Sequence, residues 1–425
     1  MSEKTILVWF RNDLRIRDNE ILSEAVRRAD NVLPVFIFDP FYFKTGINGG
    51  TKTGAFRTRF LLEAVADLRN NLRAMGAELL IRTGDPAEVL VQLAEEFNIS
   101  EVYHHREVAP DETSISERVE EALWKKQLNL KHFIGHTMYH KEDLPFPIKD
   151  IPDSFVTFKK KVERDSTVRP VVTTPEKILV PETIDPGELP TLEELGIVQP
   201  VDDPRAGEKI TGGETEALKR LRQYLSNASI INQPNSSGLG PWLAVGCISP
   251  RQVYWEVLNH QKENNLQNAD PLMLELLWRD YFRFMFKKHG QQFFRSEGFG
   301  SAPDIADNQD ELFERWKNGQ TGEPYIDAAM HQLNATGYLS NYARQAVAAY
   351  LIKDLQVDWT KGALYFEETL IDYSPASNWG NWAFMAGVGN DTKSNRFFNA
   401  AKSAQSDDDY ISTWAPAADG ISTSV

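Results

Sequence analysis

Cysteine is almost absent: Cys247 is the only one in 425 residues. A lone thiol excludes an internal disulfide and a cysteine-ligated metal or iron–sulfur centre. No apolar run reaches the roughly 18 residues that a membrane span needs. There is no P-loop, no HExxH and no glycine fingerprint of the dinucleotide type after the first apolar stretch. Cations are in deficit, with 46 Lys and Arg against 61 Asp and Glu and a formal net charge of −15. Neutralising phosphates needs basic side chains, so this balance argues against indiscriminate nucleic-acid binding but leaves room for a local basic patch. The opening MSEKTILVWF has no basic n-region followed by a long apolar h-region and reads as a strand, not a signal peptide. A cytoplasmic, reducing compartment is therefore expected, with no membrane association.

What is present is globular. Hydrophobic residues make up 41% and charged residues 25%, too apolar for a disordered chain. The length calls for two or three domains. Aromatics are abundant, with 10 Trp, 13 Tyr and 23 Phe, and most should lie in the core because large rings bury much area.

The first 130 residues alternate between short apolar runs and amphipathic stretches. Strands are expected at 5–10, 31–38, 77–82 and 101–105, with helices at 18–29 (capped by Asp18), 58–75, 87–97 and 116–127. That alternation implies parallel strands, right-handed crossovers and an open doubly wound α/β sheet. Such sheets bind ligands beyond their C-terminal strand ends, which here carry Phe10-Arg11, Asp39-Pro40 and Arg106-Glu107. Residues 140–212 are dense in proline, with one helix near 153–163, and read as a connector packed over the surface. From Gly213 onward the pattern is helical, with candidates at 214–225, 249–259, 272–289, 310–318, 324–336, 341–354, 358–370 and 378–385. No fixed period repeats, so this is a globular all-α part.

Three stretches are candidates for chemistry. Asn235-Ser-Ser-Gly-Leu-Gly240-Pro-Trp reads either as an anion-binding nest before a helix or as an ordinary capped turn. Glu275, Trp278, Arg279 and Arg283 share one helix face, which makes either a wall for a flat charged ligand or a surface stripe with a Glu–Arg pair. The run Asp372-Tyr-Ser-Pro-Ala-Ser-Asn-Trp-Gly-Asn-Trp382, with Trp359 before it, offers its rings little aliphatic packing and suggests stacking surfaces; core aromatics are the alternative. His132, His136 and His140 repeat every four residues, but Gly135 and β-branched neighbours place them where a strand is expected. No metal site is expected there.

WFRNDLRIRDN (9–19), TKTGAFRTRFLLEAVADLR (51–69), DIPDSFVTFKKKVE (150–163), ELLWRDYFRF, GQTGEPYIDAAMHQLNATGYLSN (319–341) and LIDYSPASNWGNWAFMAGVGND (370–391) together resemble the photolyase/cryptochrome family, and in particular its DASH cryptochrome branch. The resemblance implies an α/β antenna domain (1–135), a Pro-rich connector (136–212) and an all-α FAD-binding domain (213–425). It further implies that Ser236, Ser237, Leu239 and Gly240 form the flavin-phosphate loop and that Arg279 contacts FAD. Arg344 and Asp372 would be the ion pair beside the isoalloxazine, with Ser374 next to it and Asn378 facing flavin N5. Glu275, Trp278 and Asn341 would wall the pocket for a flipped-out pyrimidine dimer, and Trp382 and Trp359 would begin an electron-hopping chain. Glu107 would hold a folate antenna (methenyltetrahydrofolate).

The implied activity is blue-light repair of cyclobutane pyrimidine dimers, in single-stranded DNA, by electron transfer from reduced flavin. A photoreceptor or regulator with little or no repair activity is the other reading. Damaged DNA is the expected partner and a monomer the expected state; no signalling partner can be read. The chain departs from the family pattern in several places. Ser374 stands for a usual aspartate, Ala306 for the third, surface tryptophan and Tyr342 for a usual arginine. The loop 226–234 is short, and the tail lacks the usual Leu-Pro-Glu-Leu continuation.

Overall fold

The computed structural model describes residues 3–44, 51–226, 237–266, 271–390 and 408–415. Ser236 and most of the short loop 226–234 lie outside the described residues. The chain divides into two compact units. The first combines Met1–Val198 with Ile210–Gln291, and the second combines Gln199–Lys209 with Gln292–Val425.

The first unit is built on five parallel strands: β1 (Thr5–Phe10), β2 (Asn31–Phe38), β3 (Leu80–Thr83), β4 (Ile99–His105) and β5 (Leu130–Phe133). Their order is β3-β2-β1-β4-β5. Register runs Leu7↔Leu33 and Trp9↔Val35 on one side of β1, and Leu7↔Val102 on the other. The order reverses direction between β1 and β4, so the switch-point crevice opens beyond Phe10 and His105. The helices between the strands are α1 (Glu20–Arg28), α2 (Ala55–Ala74), α3 (Pro86–Glu96) and α4 (Pro110–Trp124). Alternate residues Leu7, Trp9, Leu33, Val35 and Ile37 bury one sheet face against Leu90, Leu93, Ile115, Val119 and Leu123 of α3 and α4. Helix α1 packs on the sheet from β1, β2 and β4.

Local chemistry moved several boundaries. The first helix begins at Glu20, not Asp18, and Asn19 is its cap, accepting from Leu22 N at 3.2 Å. Asp18 is unavailable because its carboxylate takes Arg251 Nη2 and Val172 N, each at 2.8 Å. Helix α4 starts six residues earlier than the periodicity suggests because Pro110 sits at the first helical position. The Pro-rich segment lies along this unit: Ile178 N donates to Met75 O at 3.0 Å and Ile81 N to Pro186 O at 2.8 Å. One helix, α5 (Phe155–Asp165), interrupts it. The unit closes with α6 (Glu214–Ser226), α7 (Gly240–Ala244), α8 (Pro250–Glu263) and α9 (Pro271–His289).

The second unit holds α10 (Gln309–Lys317), α11 (Pro324–Thr336), α12 (Asn341–Ala349), α13 (Trp359–Thr369), α14 (Pro375–Met385) and α15 (Asp408–Trp414). Gly337, at φ 69°, ends α11 in the left-handed conformation that only glycine adopts cheaply. The expected single helix 341–354 is two pieces, since Tyr350–Asp354 winds as a π-helix. Helix α14 starts at Pro375, three residues before the expected position, again with proline at the first turn. Helix α15 was not anticipated; Tyr410 OH donates to Gln332 Oε1 of α11 at 2.7 Å.

Candidate functional site

In the first unit the switch-point crevice is a buried polar network. Arg11, one residue past β1, donates to Ser116 Oγ at 2.8 Å and lies 4.7 Å over the Trp9 ring. Its backbone N–H donates to Asp13 Oδ1 at 2.7 Å, while Asp13 Oδ2 meets His105 Nδ1 at 2.6 Å. Glu107 accepts from Asn12 Nδ2 at 2.9 Å and from Arg283 Nη2 of α9 at 2.8 Å, and His136 Nε2 is 3.4 Å away. Burial alone would raise the Glu107 carboxyl; His136 and the Arg283 and Arg11 guanidinia outweigh it and hold the group below the usual glutamate range. Burial pushes His136 well below the ordinary histidine value. Nearby Glu112, 7% exposed, has one carboxylate oxygen without a partner among the described residues, and burial beside Glu107 raises it to about 7.

Helix α9 carries four of the predicted residues on one stripe. Glu275 accepts from Ser237 N at 3.2 Å and from Ser237 Oγ at 2.9 Å, so the sequence-distant pair is brought together. Ser237 and Leu239 are buried and Gly240 is half-buried, and Arg220 Nε donates to Ser237 O at 3.2 Å across Gly238, whose φ is 70°. Trp278 is half-buried and stacks on Phe155 with ring centroids 3.5 Å apart and planes within 9°. Phe282 backs the same indole at 5.5 Å. Arg279 donates to His136 O and, at 3.1 Å, to Leu243 O. Burial and the adjacent Arg283 lower its guanidinium to about 9, still cationic at neutral pH. Asp280, which the sequence did not single out, accepts from Met138 N at 3.0 Å and Tyr139 N at 2.9 Å, tying α9 to the segment after β5.

The second unit supplies a separate cluster. Arg344 of α12 donates to Asp372 Oδ2 at 2.8 Å and to Leu339 O at 2.9 Å. The other Asp372 oxygen is buried and has no donor among the described residues. Asn378 is buried on α14; its Nδ2 donates to Ala363 O at 2.9 Å, which orients the amide and leaves Oδ1 as an acceptor. Ser374 is buried at the N-cap of α14 and makes no side-chain cap. Asn341 is exposed at the start of α12. Trp382, Trp359, Trp316 and Trp379 are all buried. Gly362 is packed directly under Trp382: a Cβ there would meet Trp382 Cη2 at 2.3 Å.

Comparison with known proteins matches residues 6–177 to the DNA photolyase model and residues 272–425 to the FAD binding domain of DNA photolyase. A cryptochrome DASH of Gloeobacter violaceus is 43% identical over 99% of this chain and 87% of its own length. The chain belongs to the photolyase/cryptochrome family, among the DASH cryptochromes. The crystal structure of a Synechocystis cryptochrome superposes with a TM-score of 0.91 at 38% identity, covering 97% of this chain and 89% of that one. The crystal structure of an archaeal photolyase from Sulfolobus tokodaii with two FAD molecules, which implies a novel light-harvesting cofactor there, superposes at 0.77 with 28% identity, over 97% of this chain and 90% of that one.

The residues of this DASH-type chain suit the flavin that its FAD-binding domain calls for. The orphaned Asp372 oxygen is an acceptor for a ring N–H, and buried acceptors seek donors. Asn378 Oδ1 offers a second, uncharged acceptor. In the first unit the adjacent guanidinia of Arg279 and Arg283 lie within the field of two carboxyls, Asp280 and Glu107. What the sequence missed is the partner set of Glu107. Asn12, His136 and Arg283 come from three remote stretches; Arg283 stood out as part of the α9 stripe and His136 only as one of three evenly spaced histidines.

Proposed function

We propose that this protein is a light-driven lyase that repairs cyclobutane pyrimidine dimers, with single-stranded DNA as its substrate. The observation that carries the reading is the Trp278–Phe155 stack. It is a rigid, half-buried aromatic platform on the stripe that also bears Glu275, and base–aromatic stacking contributes about 1–3 kcal/mol per base. A signalling receptor has no need of such a platform. FAD, when bound, would supply the photochemistry, one-electron transfer under illumination.

The chain's own residues do the rest. In the first unit Ser237, Leu239, Gly240 and Arg279 are assigned to phosphate binding; in the second unit Arg344, Asp372, Ser374 and Asn378 are assigned to the flavin ring. Ser237 fixes the orientation of the Glu275 carboxyl, which hydrogen-bonds a lesion carbonyl where negative charge develops. Trp278 stacks the extruded lesion. Extrusion costs a few kcal/mol and least where pairing is already lost, which favours single strands. Trp382 begins the path by which the cofactor is reduced, and Trp359 is the family's next member of it.

The functional division at 135 and 212 follows the family, with the antenna in 1–135, the connector in 136–212 and the flavin domain in 213–425. A folate antenna belongs to this proposal. A folate that uses Glu107 must share a carboxylate whose oxygens already accept from Asn12 and Arg283. Cytoplasmic location and a monomeric state are part of the same reading; no described helix is long and apolar enough to cross a membrane.

The test is blue illumination of the flavin-reduced protein, without oxygen, on an oligothymidine carrying cyclobutane dimers. Thymine absorbance should return in proportion to light dose. No recovery from flavin-loaded protein would overturn the repair reading in favour of a photoreceptor.

A further inference from the structure

The ring contacts of the second unit do not follow the order of the family's hopping chain. Trp382 meets Trp316 edge-on, with centroids 6.3 Å apart, and Trp316 meets Tyr365 at 5.9 Å. Phe366 packs beside both indoles, at 5.1 Å from Trp382 and 6.3 Å from Trp316. Among the described residues no ring contact joins Trp382 to Trp359; the ring partner of Trp359 is Trp379, at 5.8 Å. Ala306, where a surface tryptophan would end a path through Trp359, offers no ring at all.

Proton chemistry distinguishes the members of the contiguous path. Trp316 is fully buried, and its indole N–H donates to Val347 O at 3.0 Å. A carbonyl takes no proton, so an oxidised Trp316 keeps its charge and must pass it on. Tyr365 is half-buried, and its hydroxyl donates to Oδ1 of the exposed Asn334 at 2.5 Å. Its phenol therefore sits at the water boundary. The carboxylates of Glu314 and Glu368 act on the same phenol electrostatically, a field that favours positive charge on the ring. Phe313, the other ring beside Trp316, carries Lys317 at 5.9 Å and Lys361 at 5.8 Å, the opposite field, and has no proton to lose.

We propose that Trp316 and Tyr365 replace the missing surface tryptophan, so that photo-oxidation of Trp382 ends as a neutral radical on Tyr365. This rests on the flavin reading above, because the oxidant is photoexcited oxidised flavin. One electron leaves Trp382 for that oxidant; Trp316 refills Trp382, and Tyr365 refills Trp316. Tyr365 loses one electron along the path and its phenolic proton to water at Asn334. A soluble thiol-class reductant then returns one electron to Tyr365 as the phenol regains a proton.

Flash photolysis with electron paramagnetic resonance on the oxidised, flavin-loaded protein tests this by radical identity, apart from any repair activity. The parent protein should give the sharp neutral tyrosyl spectrum after the tryptophanyl one. Tyr365→Phe should lose the tyrosyl signal and keep a long-lived tryptophanyl one. Trp316→Phe should also lose it, and Trp359→Phe should not. If Trp316→Phe fails to fold, Tyr365→Phe alone decides. A parent without tyrosyl, a tyrosyl that survives Tyr365→Phe, or one lost in Trp359→Phe but kept in Trp316→Phe would overturn the proposal. Protein that takes up no flavin removes the flavin reading as well; yellow protein failing these tests removes this inference alone.

Discussion

Replacing Arg283 with methionine should destabilise the first unit strongly. Glu107 and Arg283 form an ion pair at 2.8 Å with side chains only 5% and 8% exposed. Methionine keeps the bulk of the stem but leaves the carboxylate facing Asn12 and His136 without its guanidinium partner. Breaking a buried pair by removing one partner costs about 3–5 kcal/mol, because the remaining charge is uncompensated. The double variant Glu107→Gln, Arg283→Met removes both charges and should recover most of that loss.

The pH dependence gives an independent reading. In the parent, Glu107 is held below its unfolded value, so its contribution is present above the unfolded pKa and is lost as pH falls through the folded one. In the single variant the folded value rises instead, and the deficit is largest near neutral pH and shrinks toward roughly pH 4. Urea unfolding at several pH values measures both effects. A single-variant loss under about 1 kcal/mol, in the range of an exposed pair, would refute the reasoning, as would a double variant no more stable than the single.

Glu112→Gln should act in the opposite direction. Its carboxyl is raised from 4.5 to about 7, so the folded state holds a proton that the unfolded state has released between those values, and stability falls as pH rises across that window. The glutamine variant should gain at most about 3 kcal/mol over the parent above neutrality and little below roughly pH 4; parallel pH profiles would contradict this. Gly362→Ala should cost about 1–3 kcal/mol by overpacking, since the new methyl meets Trp382 Cη2 at 2.3 Å and Leu351 Cδ2 at 2.6 Å. A thermal midpoint and tryptophan emission unchanged from the parent would count against that packing.

Much of the fold was legible because its signals are local. The apolar runs 5–10 and 31–38 coincide with β1 and β2, since each is buried on both faces of the sheet and so reads as continuous hydrophobic sequence. Helix starts were misplaced where a proline opened the helix ahead of its apolar stripe, as at Pro110 and Pro375. Asp18 misled as a cap because its carboxylate is committed to Arg251, 233 residues away, and no local pattern reports such a partner. The site divides in the same way. The α9 stripe was visible from helical spacing, and the Ser237–Glu275 bond could follow only once the fold joined them. The Glu107–Arg283 pair and the Trp316–Tyr365 contact are tertiary, spanning 176 residues in the first case, and had no signature in spacing.

The central claim is that this DASH-type chain holds FAD. The absorption spectrum of the natively purified protein tests it most directly. The account predicts oxidised-flavin bands that remain with the protein through gel filtration, and a further near-ultraviolet band if a folate is also bound. Colourless protein that stays colourless after incubation with FAD would contradict it.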